Sequence, residues 1–280
     1  MQAIILSKED IYKIISLYKD GYSSPKIASI FNYSAPYIRN VLRKNGVDLR
    51  KLYQINHTKI INDNFFNIID SQEKAYFLGI LFADGNVHSK YNAITLKLTN
   101  NDGEKELLNK LNELISKDNL IYYYDNDIVL KFSSYQIKND LIRYGCIPNK
   151  SLKIEFPNNI DLIYYPHFIR GYFDGDGSIF RYRNDFVIAI VSTRMLCEKI
   201  KEIINDINID GKIIHELKML KSNNNITTTL IYKGNRRILK VLNWLYRDTT
   251  IYLSRKYKKY LELKQWCEFV DSKTSKYINY

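Results

Sequence analysis

The 280-residue sequence predicts an α+β protein: a pseudo-symmetric, duplicated αββαββα unit preceded by a small all-α amino-terminal unit. Three observations predict it. A short motif occurs twice at a fixed offset. The stretches after each copy switch between strand-like and helix-like periodicity in the same order, and the first 50 residues stand outside the repeat with three short helical patterns.

"YFLGILFADGNV" (76–87) aligns with "FIRGYFDGDGSI" (168–179): Gly79 matches Gly171, Asp84 matches Asp176 and Gly85 matches Gly177, each pair 92 positions apart. Asp174 faces Phe82, so only the second aspartate of the later motif is common to both copies. Each motif is followed by an alternating strand pair, "NVHSKYNAITLKLTN" or "SIFRYRNDFVIAIVS", and then by an amphipathic helix, "GEKELLNKLNELI" or "MLCEKIKEIINDI". A second strand pair turns at "DND" in the first copy and at a longer Asn-rich hairpin in the second. "QIKNDLIRYG" and "NRRILKVLNWLY" close the copies as helices. The expected organisation is 1–50, a linker at 51–70, repeats at 71–157 and 167–265 joined by a connector at 158–166 between Pro157 and Pro166, and a tail at 266–280.

The motif raises an electrostatic question. If 73–84 and 167–176 are helices, Asp84 and Asp176 occupy C-terminal ends, where carbonyl groups already carry partial negative charge. Gly79 and Ala83 are four apart on one face, as are Gly171 and Gly175, and small residues at that spacing let two helix backbones approach closely. Packing through these faces brings both aspartates to one place. Two carboxylates converging on carbonyls call for a cation, and hard oxygen donors suit Mg²⁺ or Mn²⁺. A bound metal can activate water and stabilise a phosphodiester in transit. A plainer alternative has each Asp-Gly pair end a helix, with glycine taking a positive φ.

The charge is strongly basic: 42 Lys+Arg against 30 Asp+Glu, a net of +12. A long polyanion is the natural partner. Residues 233–264 hold ten Lys/Arg against Asp248 and Glu262. Three scattered cysteines, Cys146, Cys197 and Cys267, and four histidines without ligand spacing argue against zinc or a disulfide framework. The absence of a long apolar run or a signal-peptide pattern points to an intracellular protein of cytoplasm or organelle matrix, with no membrane partner.

Taken together, "FLGILFADG" (77–85) and "IRGYFDGDG" (169–177) resemble the two motif helices of the single-chain LAGLIDADG homing endonucleases, over roughly residues 70–265. The resemblance implies a pseudo-two-fold molecule, homing-endonuclease-like, with two four-stranded sheets saddling duplex DNA. It implies that Asp84 and Asp176 bind the metals, assisted by the carbonyls of Ala83 and Gly175. It also implies that Lys150 and Lys256 are catalytic and that Asn100 and Ser192 hold the attacking water. Phe82, at the sixth motif position, departs from the pattern without touching the metal ligands. DNA contacts are expected from Asn86, His88, Lys90 and Asn92 on the first strand and from Thr95 and Lys97 on the next. In the second copy Phe180, Tyr182 and Asn184 share the matching phase, while Arg181 and Arg183 on the opposite phase are chemically better contacts. The sequence leaves that phase open.

Residues 1–50 carry eight basic and four acidic residues. "SKEDIYKIISLYKDG", "SSPKIASIFN" and "SAPYIRNVLRKNG" look like a helix-turn-helix of the resolvase type, with a recognition helix at 35–44 offering Tyr37, Arg39, Asn40 and Arg43. The expected function is site-specific cleavage of both strands of duplex DNA by a monomer, serving intron homing. The other readings are an intron RNA maturase and a DNA-binding transcription regulator that does not cut.

Overall fold

The chain is described from a computed structural model over residues 6–19, 22–49, 60–183, 185–207, 215–222 and 225–278. It divides into two units, Met1–Ile60 and Ile61–Tyr280. In the first, α1 (Lys8–Lys19), α2 (Ser24–Phe31) and α3 (Ala35–Lys44) enclose a small core of Ile14, Ile27, Ile38 and Leu42. Ser23 and Ser34 cap α2 and α3, each followed by a proline in the first turn, where its missing N–H is no loss. Asn32, at φ 56°, makes the left-handed turn between them.

The second unit opens with packed chain. Within the expected linker, Phe65, Phe66 and Ile69 are buried, and the Phe66 ring meets Phe77 edge-on with centroids 5.4 Å apart. Arg143 fastens this strap by donating to the Asn67 carbonyl at 2.6 Å. Residues 61–70 therefore pack with the repeat core and not as a linker, because three large apolar side chains cannot be left in water; residues 51–59 lie outside the described residues.

Each repeat then follows the expected order. The first is α4 (Gln72–Asp84), β1 (Gly85–Val87), β2 (Ala93–Thr99), α5 (Asp102–Ile115), β3 (Ile121–Tyr123), β4 (Asp127–Ser133) and α6 (Tyr135–Arg143). The second is α7 (Tyr165–Asp176), β5 (Gly177–Tyr182), β6 (Asp185–Ser192), α8 (Arg194–Ile207), β7 (His215–Ser222), β8 (Asn225–Lys233) and α9 (Asn235–Leu245). Both sheets are antiparallel, in the orders β1-β2-β4-β3 and β5-β6-β8-β7. The expected connector ends as helix, since Tyr165 and Pro166 already belong to α7. The expected tail is no separate segment: α10 runs unbroken over Ser254–Ile278, and Leu263 and Cys267 bury against the same core.

Helices α4 and α7 pass through the centre. From Ala75 to Phe82 every residue of α4 is buried, so the helix is apolar on all sides, as a central element must be.

Candidate active site between the two motif helices

Main chain meets main chain where α4 crosses α7. A Cβ on Gly79 would overlap the Phe168 carbonyl oxygen, one on Gly171 would overlap the Tyr76 carbonyl oxygen, and one on Gly175 would overlap the Ala83 methyl. The four small residues singled out by spacing are thus the contact itself. Gly85 and Gly177 have φ of −77° and −86°, so neither caps its helix by a left-handed turn. Each starts a strand directly, and its hydrogen in place of a side chain clears Leu81 or Phe173 of the preceding turn.

The two helix ends bring Asp84 and Asp176 into one charged neighbourhood. The built Cβ position on Gly175 lies 2.8 Å from Asp84 Oδ2, which places that carboxylate against the end of the opposite helix. Burial and the charge of Asp176 push Asp84 up to about 6, against the pull of Lys256, Lys150 and Arg255. Asp176 is also raised by burial, opposed by Tyr172, Lys150 and Lys256.

Both lysines are buried, and both answer the carbonyl problem. Lys150 donates to the carbonyls of Ala83 at 3.1 Å and Gly85 at 2.6 Å. Lys256 donates to those of Asp174 at 2.8 Å and Gly177 at 2.5 Å, and also to that of Phe173. An ammonium group thus neutralises each helix C-terminus and makes an aspartate tolerable there. Burial lowers Lys256 to about 8 in spite of Asp174, Asp84 and Asp176 nearby.

The polar pair behaves unequally. Ser192 is buried and accepts from the Tyr172 hydroxyl at 2.8 Å, so it belongs to the surroundings of Asp176. Asn100 lies just beyond β2 and gives its side-chain N–H to the Tyr124 carbonyl at 2.9 Å. Strand register equates Ser192 with Leu98, because Leu96 lies opposite Gly85 and Ile190 opposite Gly177. Pairing Asn100 with Ser192 is therefore corrected by two residues. Tyr172 likewise has Ile80 as its counterpart. Beside Asp84 a pocket of about 250 Å³ is lined by Ile80, Leu98, Glu104 and Arg255, where the second repeat carries the Tyr172–Ser192 pair.

Tyr172 and Arg255 were not picked from the sequence. Tyr172 had a signal: it stands one helical turn before Asp176. Arg255, ion-paired with Glu104 at 3.0 Å, had none, since its partner is 151 residues away. Among the described residues no three His, Cys, Asp or Glu side chains gather to hold a metal. Two carboxylates with adjoining carbonyls still fit Mg²⁺ or Mn²⁺, which keep water and substrate oxygens as remaining ligands. The Ala83 carbonyl has a second lone pair beside the one Lys150 uses.

The expected base-reading residues separate by face. Asn86 pairs with Thr95, and both share the outer side of the first sheet with Lys97, which ion-pairs Asp127 at 2.7 Å. His88, Lys90 and Asn92 are not on that strand, which ends at Val87. They form the β1–β2 turn, where the His88 ring accepts from the amides of Lys90 and Tyr91. In the second repeat the phase is now fixed. Phe180 and Tyr182 face outward, whereas Arg181 packs over the Trp266 ring of α10 at 4.8 Å, so its expected place on the reading face is corrected. Arg183 sits in the turn at φ 55°, over the Tyr182 ring; Asn184 lies outside the described residues. On α3, Tyr37, Asn40 and Arg43 are exposed and Arg39 is half-buried.

Residues 164–243, within the second repeat, match the family model of the LAGLIDADG-like domain. An uncharacterised protein of Methanocaldococcus jannaschii, MJ0314, is 30% identical over 158 residues, covering 51% of this chain and 54% of that protein. The chain thus spans about half the length of that curated relative. Among solved structures, the I-LtrWI LAGLIDADG homing endonuclease bound to target DNA is 14% identical over 76% of this chain and 92% of its own, with a TM-score of 0.48. Full-length DUF199/WhiA from Thermatoga maritima is 16% identical over 78% and 72%, with a TM-score of 0.43.

No described helix is long and apolar enough to cross a membrane.

Proposed function

We propose that the chain is a site-specific endonuclease that cuts both strands of duplex DNA with a divalent cation. One observation carries this reading: two closely packed helices present Asp84 and Asp176 together, each backed by a buried lysine, in a strongly basic chain with a LAGLIDADG-like domain. Asp84 and Asp176 would hold Mg²⁺ or Mn²⁺, with the carbonyls of Ala83 and Gly175 beside them. Such an ion, when bound, supplies Lewis-acid activation of water and neutralises charge on the scissile phosphate.

The chain's own residues do the rest. Lys150 and Lys256 fix the helix ends and put positive charge behind the carboxylates, where phosphate charge accumulates. Tyr172 would orient Asp176 by giving that carboxylate its single hydroxyl proton, with the Ser192 hydroxyl then donating to the tyrosine oxygen. Asn100 spends one side-chain N–H on the Tyr124 carbonyl, and its Oδ1, which has no protein partner, stays available to hold water at the end of β2. The outer sheet faces and α3 are the proposed DNA surfaces. Retention of both aspartates and both lysines favours cutting over the non-cutting regulator.

Incubating the protein with a randomised duplex library and Mg²⁺, and sequencing the ends produced, tests the reading. Double-strand breaks at one recurrent sequence are expected from the native chain. Asp84→Asn or Asp176→Asn should abolish them while binding to the same sequence persists. Full cleavage by either variant, or binding without cleavage by the native protein, would overturn the assignment.

A further inference from the structure

The two sheets share a backbone plan but differ in the chemistry they turn outward, most clearly along β2 and β6. Leu96 lies between Gly85 and Leu130 in the first sheet, and Ile190 lies between Gly177 and Leu230 in the second. These registers equate Thr95 with Ala189, Lys97 with Val191 and Lys131 with Ile231. At these three positions the first sheet turns a hydroxyl and two ammonium groups outward where the second has apolar side chains; further across the sheets the exchange reverses, where the register equates Val129 and Tyr122 of the first with Thr229 and Lys218 of the second. Phe180 and Tyr182 on β5 extend that apolar face, and Phe180, Tyr182 and Val191 are 45%, 61% and 41% exposed.

Exposed Phe180, Tyr182 and Val191 side by side on one sheet face make it a candidate interaction surface. It lies on the strand that begins directly after Asp176, with the exposed Ser178 between that acid and Phe180 on the same face. The inference rests on the endonuclease reading: a duplex seated over Asp84 and Asp176 covers both sheets. In the major groove the one apolar group on a base edge is the thymine C5-methyl, which apolar side chains contact.

We infer that the outer face of β5 and β6, centred on the exposed Phe180, Tyr182 and Val191 with half-buried Ile231 beside them, is a thymine-methyl-reading surface, so that the half-site beneath the second repeat is thymine-rich. The half beneath the first repeat is read by Asn86, Thr95, Lys97 and Lys131 through hydrogen bonds. RNA carries uracil, which lacks the methyl, so this face also selects DNA over RNA.

Binding selection from a randomised duplex pool with the full chain, in Ca²⁺ to suppress turnover, provides the site. Enrichment of thymine confined to one half is expected. Replacing those thymines by deoxyuridine should weaken binding about 4-fold per methyl, as expected for loss of one buried methyl-sized group, while the same exchange in the other half changes nothing. Val191→Lys, which imports the first repeat's residue at an exposed position, should abolish the deoxyuridine sensitivity and thereby assign the half. A selected site with no thymine bias, or equal deoxyuridine effects in both halves, would overturn the inference and leave the DNA reading intact. So would self-association of the native chain that Val191→Lys abolishes, which would make the face a contact between copies. Recovery of no site at all would remove the endonuclease reading as well.

Discussion

Asp174, the acid without a counterpart in the first motif, is enclosed by donors. Its Oδ2 accepts from the Tyr76 hydroxyl and from the Leu253 amide, both at 2.8 Å, and its Oδ1 faces the Tyr246 hydroxyl at 3.5 Å. Tyr76 lies on the opposite motif helix, so this side chain ties the repeats together. Asp174→Ala leaves those donors unpaired in the core, and chemical denaturation should report a loss of about 3 kcal/mol or more. Asp174→Asn keeps one acceptor oxygen and should cost less than half as much. Asp84 titrates differently. Its folded pKa, about 6 against an ordinary 3.8, means that the folded form holds the proton more tightly. Ionisation therefore destabilises the fold: the penalty is absent below about pH 3.8 and complete above about 6. Because Asp84 is partly open to solvent, Asp84→Asn should raise stability by only about 1–2 kcal/mol at pH 8, and by nothing at pH 3.5. In cleavage the bound cation should hold the acid limb below the metal-free Asp84 value of about 6, while the alkaline limb follows loss of the Lys256 proton near 8. A single-turnover pH profile checks both limbs.

At the scale of elements, the crossing of α4 and α7 reverses an ordinary rule. Alanine for glycine inside a helix normally stabilises by about 1 kcal/mol. At Gly79 or Gly171 the added methyl would overlap a carbonyl of the facing helix, which cannot yield without separating the repeats. Gly79→Ala should therefore lose about 3 kcal/mol or more in a denaturation experiment, and a neutral or stabilised variant would contradict the packing. This crossing was legible because it is written twice in the sequence, as small residues four apart before Asp84 and Asp176. The strand boundaries were less so. β1 stops at Val87 because the His88 ring bonds the amides of Lys90 and Tyr91 and folds the chain into a turn, a local side-chain effect that alternation does not reveal. The phase of β5 was hidden for another reason: Arg181 points to the helix side because Trp266, 85 positions away, offers an aromatic face. Phe65 and Phe66 looked like linker because their partner, Phe77, lies in the next element.

For the whole molecule, the endonuclease reading makes phosphate contact the main source of DNA affinity, because the net charge is +12. DNA binding should weaken by about 10³-fold or more between 50 and 200 mM salt, as for proteins that neutralise several phosphates. A chain beginning at Ile61 retains the complete second unit and its own core, so its thermal transition should match that of the parent's second unit. Its footprint should be shorter and its salt slope shallower, by the contacts that α3 supplies. Equal slopes would remove the amino-terminal unit from DNA recognition. The duplication, the charge and the paired acids were open to a reader of the sequence, since each is a pattern in composition or spacing. Tyr172 facing Ser192 against Ile80 facing Leu98 was not, because it depends on strand pairing that only the folded chain displays.

The glycine crossing also governs how freely the halves can diverge. Where two protein segments meet through peptide groups, no matched set of side chains has to change in concert. Once the glycines and the buried Tyr76–Asp174 bridge are fixed, mutations on the outer sheet faces leave the alignment of the halves untouched. One sheet could drift toward ammonium groups and the other toward hydrocarbon without moving either acid. Grafting the outer residues of one sheet onto the other is for that reason a practical way to retarget this chain.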